Sequence, residues 1–179
     1  FDIRKLQNCL IVYYMRLVYN NATMYKNALA HFKKVDPILY KLALQHDPFV
    51  LQTAPDYFIR LIRSIVGQQL SVKAASTIYS RFEKLFKGKI NAEEILKLND
   101  EEMRKCGISY PKIKYIKDLA LKTKTQELLL DSLAKETEEV VIAELTKVKG
   151  IGIWSAEMFL MFGLGRPDIF STGDLGLKN

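Results

Sequence analysis

The chain has 179 residues, 49% of them hydrophobic, and carries 27 Lys and Arg against 20 Asp and Glu for a net charge of +7. That length supports one domain or at most two with a real core, and the charge surplus leans toward an acidic partner. The two cysteines (Cys9, Cys106) lie far apart, and with only His31 and His46 besides they form no zinc-ligand cluster, so reduced structural thiols are expected.

The first thirty residues stand apart. Leu10–Tyr19 is apolar, but it is short and interrupted by Arg16, which is too little to span a bilayer. Asp2 and the lack of a small-residue cleavage site argue against a secretory signal. Residues 1–30 therefore read as a leader or a helix docked on a bundle. From there the pattern is helical. Asp36-Pro37 opens a segment ending near Gln45, Asp56 caps a helix through Val66, and Ser71 caps an amphipathic run to Phe86. Asn91 with Glu94 has the form of a capping box, Asp100 starts a short helix stopped by Gly107, and Pro111 fits the first turn of a helix reaching about Thr123. No stretch alternates with a period of two, so the expected fold class is an all-α helical bundle with short loops. Residues 104–124 hold Arg104, Lys105, Lys112, Lys114, Lys117, Lys122 and Lys124 against one acid, Asp118, which reads as a one-sided basic surface for a nucleic-acid backbone.

The last third carries the chemistry. Thr137 offers an N-cap followed by the first-turn acids Glu138 and Glu139, and the helix runs to about Lys147. Gly150 and Gly152 then permit positive φ, while Ile151 between them points into the core. Helical periodicity resumes at once from Ile153. The hairpin's N–H groups are therefore expected to face outward at a helix N-terminus, where they and the dipole favour an anion, with Lys147 and Lys149 adding positive charge. Asp174 follows Trp154 by about twenty residues.

Lys149-Gly150-Ile151-Gly152-Ile153-Trp154 through Met158, with Gly165–Phe170 and Asp174–Leu177, resembles the helix-hairpin-helix (HhH-GPD) DNA glycosylase superfamily, in its 3-methyladenine DNA glycosylase II branch. Leu61–Ala75 resembles the branch's wedge-loop segment, and Gly107–Lys112 with Tyr115-Ile116 its Gly-x-Ser-x-x-Lys block. On this resemblance residues 31–179 form the glycosylase domain. The chain starts at Phe1 and stops soon after Asp174, so that domain reads as a fragment truncated at its C-terminus.

The resemblance implies a monofunctional glycosylase that removes alkylated purines from double-stranded DNA in base excision repair. Asp174 is the implied catalytic carboxylate, in preference to Asp168 in the preceding turn. Trp154 stands where bifunctional relatives place a lysine nucleophile, and with Met158 it would line the base pocket. Gln68 and Gln69 would supply the minor-groove wedge, with Gln69 the better candidate by family position. Ser71, Lys73, Lys147, Lys149, Gly150 and Gly152 would contact DNA, while Ser109 and Lys112 would organise the basic helix. No cofactor is required, although the family's hairpin implies a monovalent cation on the carbonyls of Thr146, Val148 and Ile151. A monomer acting inside the cell, with DNA, is expected. The competing readings are a non-catalytic helix-hairpin-helix DNA-binding module and an inactive truncated glycosylase.

Overall fold

The computed structural model describes residues 22–46, 56–174 and 176. The apolar Leu10–Tyr19 stretch lies outside them. Nine α-helices and one 3-10 turn form among the described residues, with no strand, as the helical patterning requires. The chain divides into two compact units, 1–53 with 160–179, and 54–159.

In the first unit, α1 (Ala22–Val35) and α2 (Pro37–Ala43) are separated by Asp36 alone. Asp36 stops one helix and starts the next: its Oδ1 accepts the N–H groups of Ile38 and Leu39 at 3.0 Å, and Pro37 behind it has no N–H to satisfy. Tyr25, Ala28, Leu29 and Phe32 follow the helical repeat and pack on buried Ala43. The Tyr25 hydroxyl fixes the pair by donating to the Ala43 carbonyl at 3.3 Å.

The second unit is built round α7 (Tyr110–Lys124), which packs against α3 (Tyr57–Gly67), α5 (Ala92–Lys97) and α6 (Asp100–Lys105); α3 packs in turn on α4 (Val72–Glu83). Phe58, Leu61, Ile62, Ile65 and Val66 give α3 a single apolar face. Ile113, Ile116, Leu119 and Ala120 are the residues that α7 buries in the same unit. Burying each large aliphatic chain contributes roughly 1.5–3 kcal/mol, so this face holds the unit together. A 3-10 turn at Ser132–Lys135, not expected from the sequence, leads into α8 (Glu138–Thr146) and then α9 (Ile153–Phe162).

Two boundaries differ from expectation for identifiable reasons. Helix α4 ends at Glu83 rather than Phe86, because Leu85 and Phe86 donate to Phe82 and Glu83, closing the end with tighter i to i+3 bonds. The reciprocal capping box forms at Asn99 and Glu102 instead of Asn91 and Glu94. Asn91 does accept the Glu94 N–H at 2.9 Å, but the Glu94 carboxylate is held by Lys97 at 2.7 Å.

Candidate functional site

Thr137 caps α8 through its Oγ1, which accepts the Val140 N–H at 3.5 Å. Lys147 ends the helix, and the Ile151 N–H turns back to the Val148 carbonyl at 3.1 Å. The Gly152 carbonyl then accepts the Ala156 N–H at 3.0 Å, which opens α9. Val148 and Ile151 are buried and anchor the turn, as their apolar character demands.

The two glycines do different work. Gly150 has φ +80, and a Cβ there would lie 2.1 Å from the Tyr115 ring, so both backbone and packing require glycine. Gly152 does not take positive φ, contrary to expectation, because the Gly150 turn and the Ile151 to Val148 bond already reverse the chain. A Cβ at Gly152 would meet nothing within 4 Å. Its bare backbone leaves room for an approaching group at the start of α9.

The expected outward display of N–H groups is corrected at Lys149. That N–H donates to the Asp118 Oδ2 at 2.9 Å, and the Lys149 ammonium lies 3.9 Å from the Asp118 Oδ1. Lys147 is paired with Glu144 at 2.6 Å. The basic run of α7 is likewise not one free face. Lys117 pairs with Asp100, Lys122 with Glu127 at 3.5 Å, and Lys124 with Glu93 at 3.2 Å, all acids outside the run itself. Lys105 and Lys114 are exposed.

The Gln68-Gln69 loop follows α3. Gln68 is turned inward: its Nε2 donates to the Gly150 carbonyl at 2.8 Å. Gln69 is exposed and takes φ 56, a left-handed conformation that costs a residue with a Cβ about 1–2 kcal/mol. Lys112 does not organise its own helix as expected. It reaches back so that its Nζ donates to the carbonyls of Val66 at 2.9 Å and Gln68 at 2.7 Å, satisfying acceptors that the end of α3 leaves open. Burial at that point lowers the Lys112 pKa. Ser109 occupies the N-cap of α7 without a side-chain capping bond. Ser71 caps α4 through the Ala74 N–H at 3.3 Å, and Lys73 is exposed two residues along.

Loop, hairpin and α7 enclose a groove of about 490 Å³, lined by Gln68, Gln69, Lys112, Tyr115, Gly150 and Trp154 among others. Trp154 is 45% exposed and presents its indole to the groove rather than to the core. Met158 is half-buried one turn further along α9.

Asp174 lies in the other unit. Its N–H donates to the Ser171 carbonyl at 3.2 Å, and its Oδ1 accepts the Gly176 N–H at 2.7 Å in the manner of a helix N-cap. The carboxylate is thereby oriented by local backbone. Asp168 is exposed in the preceding turn.

Of the carbonyls expected to face a monovalent cation, Thr146 belongs to the last turn of α8, where terminal acceptors lack helical partners, and Val148 accepts the Ile151 N–H at 3.1 Å. No group of three His, Cys, Asp or Glu placed to hold a metal ion occurs among the described residues, nor does a helix long and apolar enough to cross a membrane.

Tyr115 and Asp118 are site residues whose contacts the sequence alone does not show, Asp118 counting there only as a charge. Asp118 was visible as the lone acid in a basic run; nothing marked Tyr115 as the ring beneath a distant glycine.

A helical unit in which a Gly-x-Gly turn joins two helices beside a glutamine loop defines a helix-hairpin-helix protein. Residues 62–179 match the family described as HhH-GPD superfamily base excision DNA repair protein, and the chain belongs to that family. It is 38% identical over 168 residues to a DNA-3-methyladenine glycosylase of Saccharomyces cerevisiae, covering 84% of this chain and 56% of that relative. The chain thus spans little more than half the length of that protein. Among solved structures it is similar to a DNA-3-methyladenine glycosidase from Bacillus halodurans, with a TM-score of 0.75 and 38% identity over 89% of this chain and 71% of that one. A 3-methyladenine DNA glycosylase from Schizosaccharomyces pombe, in complex with abasic DNA, gives a TM-score of 0.73 and 32% identity over 83% and 75% of the two chains.

Proposed function

We propose that this chain is the core of a monofunctional DNA glycosylase of the 3-methyladenine glycosylase II type, acting as a monomer on alkylated purines in duplex DNA inside the cell. The observation that carries the reading is the groove, in which an exposed indole, an outward-turned glutamine and the Gly150 turn stand together.

The chemistry asks little of the protein. An alkylated purine carries positive charge in its ring, so when the bond between C1′ and the base nitrogen breaks, the electron pair neutralises the base and no general acid is needed. The sugar is left oxocarbenium-like. A carboxylate stabilises that charge, and water adds to C1′ with loss of a proton. Asp174 takes this role by its sequence position about twenty residues after Trp154. Its cap bond to Gly176 supports the reading, because an acceptor pre-oriented by backbone need not reorganise during the reaction. Trp154 is no amine nucleophile, which supports hydrolysis without strand cleavage; its electron-rich face attracts a cationic base.

Gln69 enters the minor groove as the base is extruded and offsets part of the few kcal/mol lost in stacking and pairing. Ser71, Lys73, Lys147, Lys149 and the bare backbone at Gly152 hold the strand. A monovalent cation on the carbonyls of Thr146, Val148 and Ile151 would strengthen the hairpin's hold on phosphate.

The test is single-turnover release of methylated purines from alkylated duplex DNA by the parent and by Asp174→Asn at matched stability. Excision by the parent, reduced at least ~10²-fold in the variant, is the expected result. A parent that binds duplex DNA but releases no base would overturn the reading in favour of a binding module.

A further inference from the structure

Lys112, Tyr115 and Asp118 recur every three residues along α7 and therefore lie along one side of the helix. Lys112 and Tyr115 line the groove, and Asp118 holds the hairpin beside it. Lys112 holds the end of α3 and the Gln68 carbonyl at 2.9 and 2.7 Å. The Tyr115 ring fills the space where Gly150 would carry a side chain. Asp118 accepts the Lys149 N–H at 2.9 Å. The Gln68 amide, at 2.8 Å from the Gly150 carbonyl, then joins loop to hairpin directly. The contacts make a closed circuit from α7 to the loop, across to the hairpin, and back to α7.

We propose that Lys112, Tyr115 and Asp118 are positioning residues that hold the Gln69 loop and the Lys149-Gly150 turn at a fixed separation, so that insertion into the minor groove and grip on the strand act as one rigid device. This rests on the glycosylase reading for its consequence, but the mechanical coupling stands on the circuit alone. A closed ring of contacts transmits a change at one member to the others, whereas isolated contacts do not. A misplacement near 1 Å at a reacting site costs on the order of 10²-fold in rate, so a small loss of register between loop and hairpin is enough to matter.

Two measurements test it. The first, without DNA, is hydrogen exchange of the amides at positions 148–153 in Lys112→Met and in the milder Gln68→Ala. Lys112 bonds to the α3 end and the loop, yet Lys112→Met is expected to speed hairpin exchange roughly tenfold by loosening the circuit. Unchanged exchange in both variants would overturn the coupling. The second compares Asp118→Ala with Asp118→Asn, which lose the same charge while only asparagine keeps an acceptor for the Lys149 N–H. Base extrusion, followed by 2-aminopurine fluorescence beside a lesion, and single-turnover excision are expected to slow about 10- to 100-fold in Asp118→Ala and to recover in Asp118→Asn, with binding to undamaged duplex changed equally in both. Equal kinetics in the two variants, with tighter duplex binding, would overturn the positioning role and make Asp118 a charge that opposes phosphate. If the parent itself excises nothing while the exchange result holds, the glycosylase reading fails and the coupling survives.

Discussion

The side-chain amide of Gln68 donates to the Gly150 carbonyl at 2.8 Å, joining residues 82 positions apart, while its neighbour Gln69 is exposed at φ 56. Adjacent glutamines thus have separate tasks, one internal and one available to a partner. Gln68→Ala is expected to lower stability by about 1 kcal/mol, the net value of one such bond. Gln69→Ala should leave stability within about 0.5 kcal/mol and slow base extrusion. Chemical denaturation together with 2-aminopurine fluorescence separates the two.

The left-handed backbone at Gln69 allows a sharper test. Glycine there relieves about 1–2 kcal/mol of strain and gives back about 0.4–1 through a freer unfolded chain, for a net gain near 0.8 kcal/mol. Gln126, at φ 61 in the turn after α7, faces the same balance without touching the groove. Gln69→Gly and Gln126→Gly should therefore raise the thermal midpoint alike, while only Gln69→Gly slows excision. A slowing by both would place the effect in backbone flexibility rather than in the lost amide.

Helix starts were legible because their causes are local. Asp36, Asp56, Ser71, Asn91 and Thr137 each cap through a side-chain oxygen that needs only a neighbouring N–H. The hairpin was legible for the same reason, since Gly150 and the buried Val148 and Ile151 lie within four residues. What escaped depends on partners distant in the chain. Lys112 reads as part of a basic helix until α3 ends beside it, and Asp118 reads as an interruption until Lys149 arrives. Charge runs mislead similarly, because the acids that neutralise Lys117 and Lys124 lie on α6 and α5.

The two hairpin glycines should respond oppositely to alanine. At Gly150 the added Cβ would strike the Tyr115 ring and the residue would sit at positive φ; overpacking and backbone strain together cost roughly 2–5 kcal/mol. At Gly152 the space is open, so stability should move by less than about 0.5 kcal/mol. If phosphate approaches that backbone, Gly152→Ala instead weakens duplex binding about tenfold, the scale of one bond to a charged group. Thermal unfolding and a DNA titration at fixed salt distinguish the two glycines.

Cys106 offers a pH-dependent check on the core of the second unit. It is buried, its Sγ lies 3.4 Å from the Glu102 carbonyl, and burial pushes its pKa up, with Glu102 adding to the rise and Arg81 opposing it. The unfolded thiol loses its proton first as pH rises, so above about 8.5 the folded state binds more protons and stability falls toward the folded pKa. Below that range the group contributes no slope. Cys106→Ala should flatten this alkaline limb when denaturation midpoints are compared from pH 7 to pH 10. An unchanged limb would mean that the thiol titrates alike in both states.

A substitution at Trp154 would separate the effects of substrate charge and substrate shape. Its indole is 45% exposed on the groove, so it is not retained for packing alone. A cation over an indole face gains about 0.5–2 kcal/mol, and an uncharged base of similar outline gains none of that electrostatic part. Trp154→Leu, which keeps an apolar surface and removes the quadrupole, should lower single-turnover excision of a positively charged methylated purine by roughly 2- to 30-fold relative to a neutral deaminated purine. Neither parent nor variant should yield a borohydride-trapped covalent complex, because the position holds no amine. A proportional loss on both substrates would assign Trp154 to shape and stacking, and a trapped complex would require a lysine elsewhere to act as nucleophile.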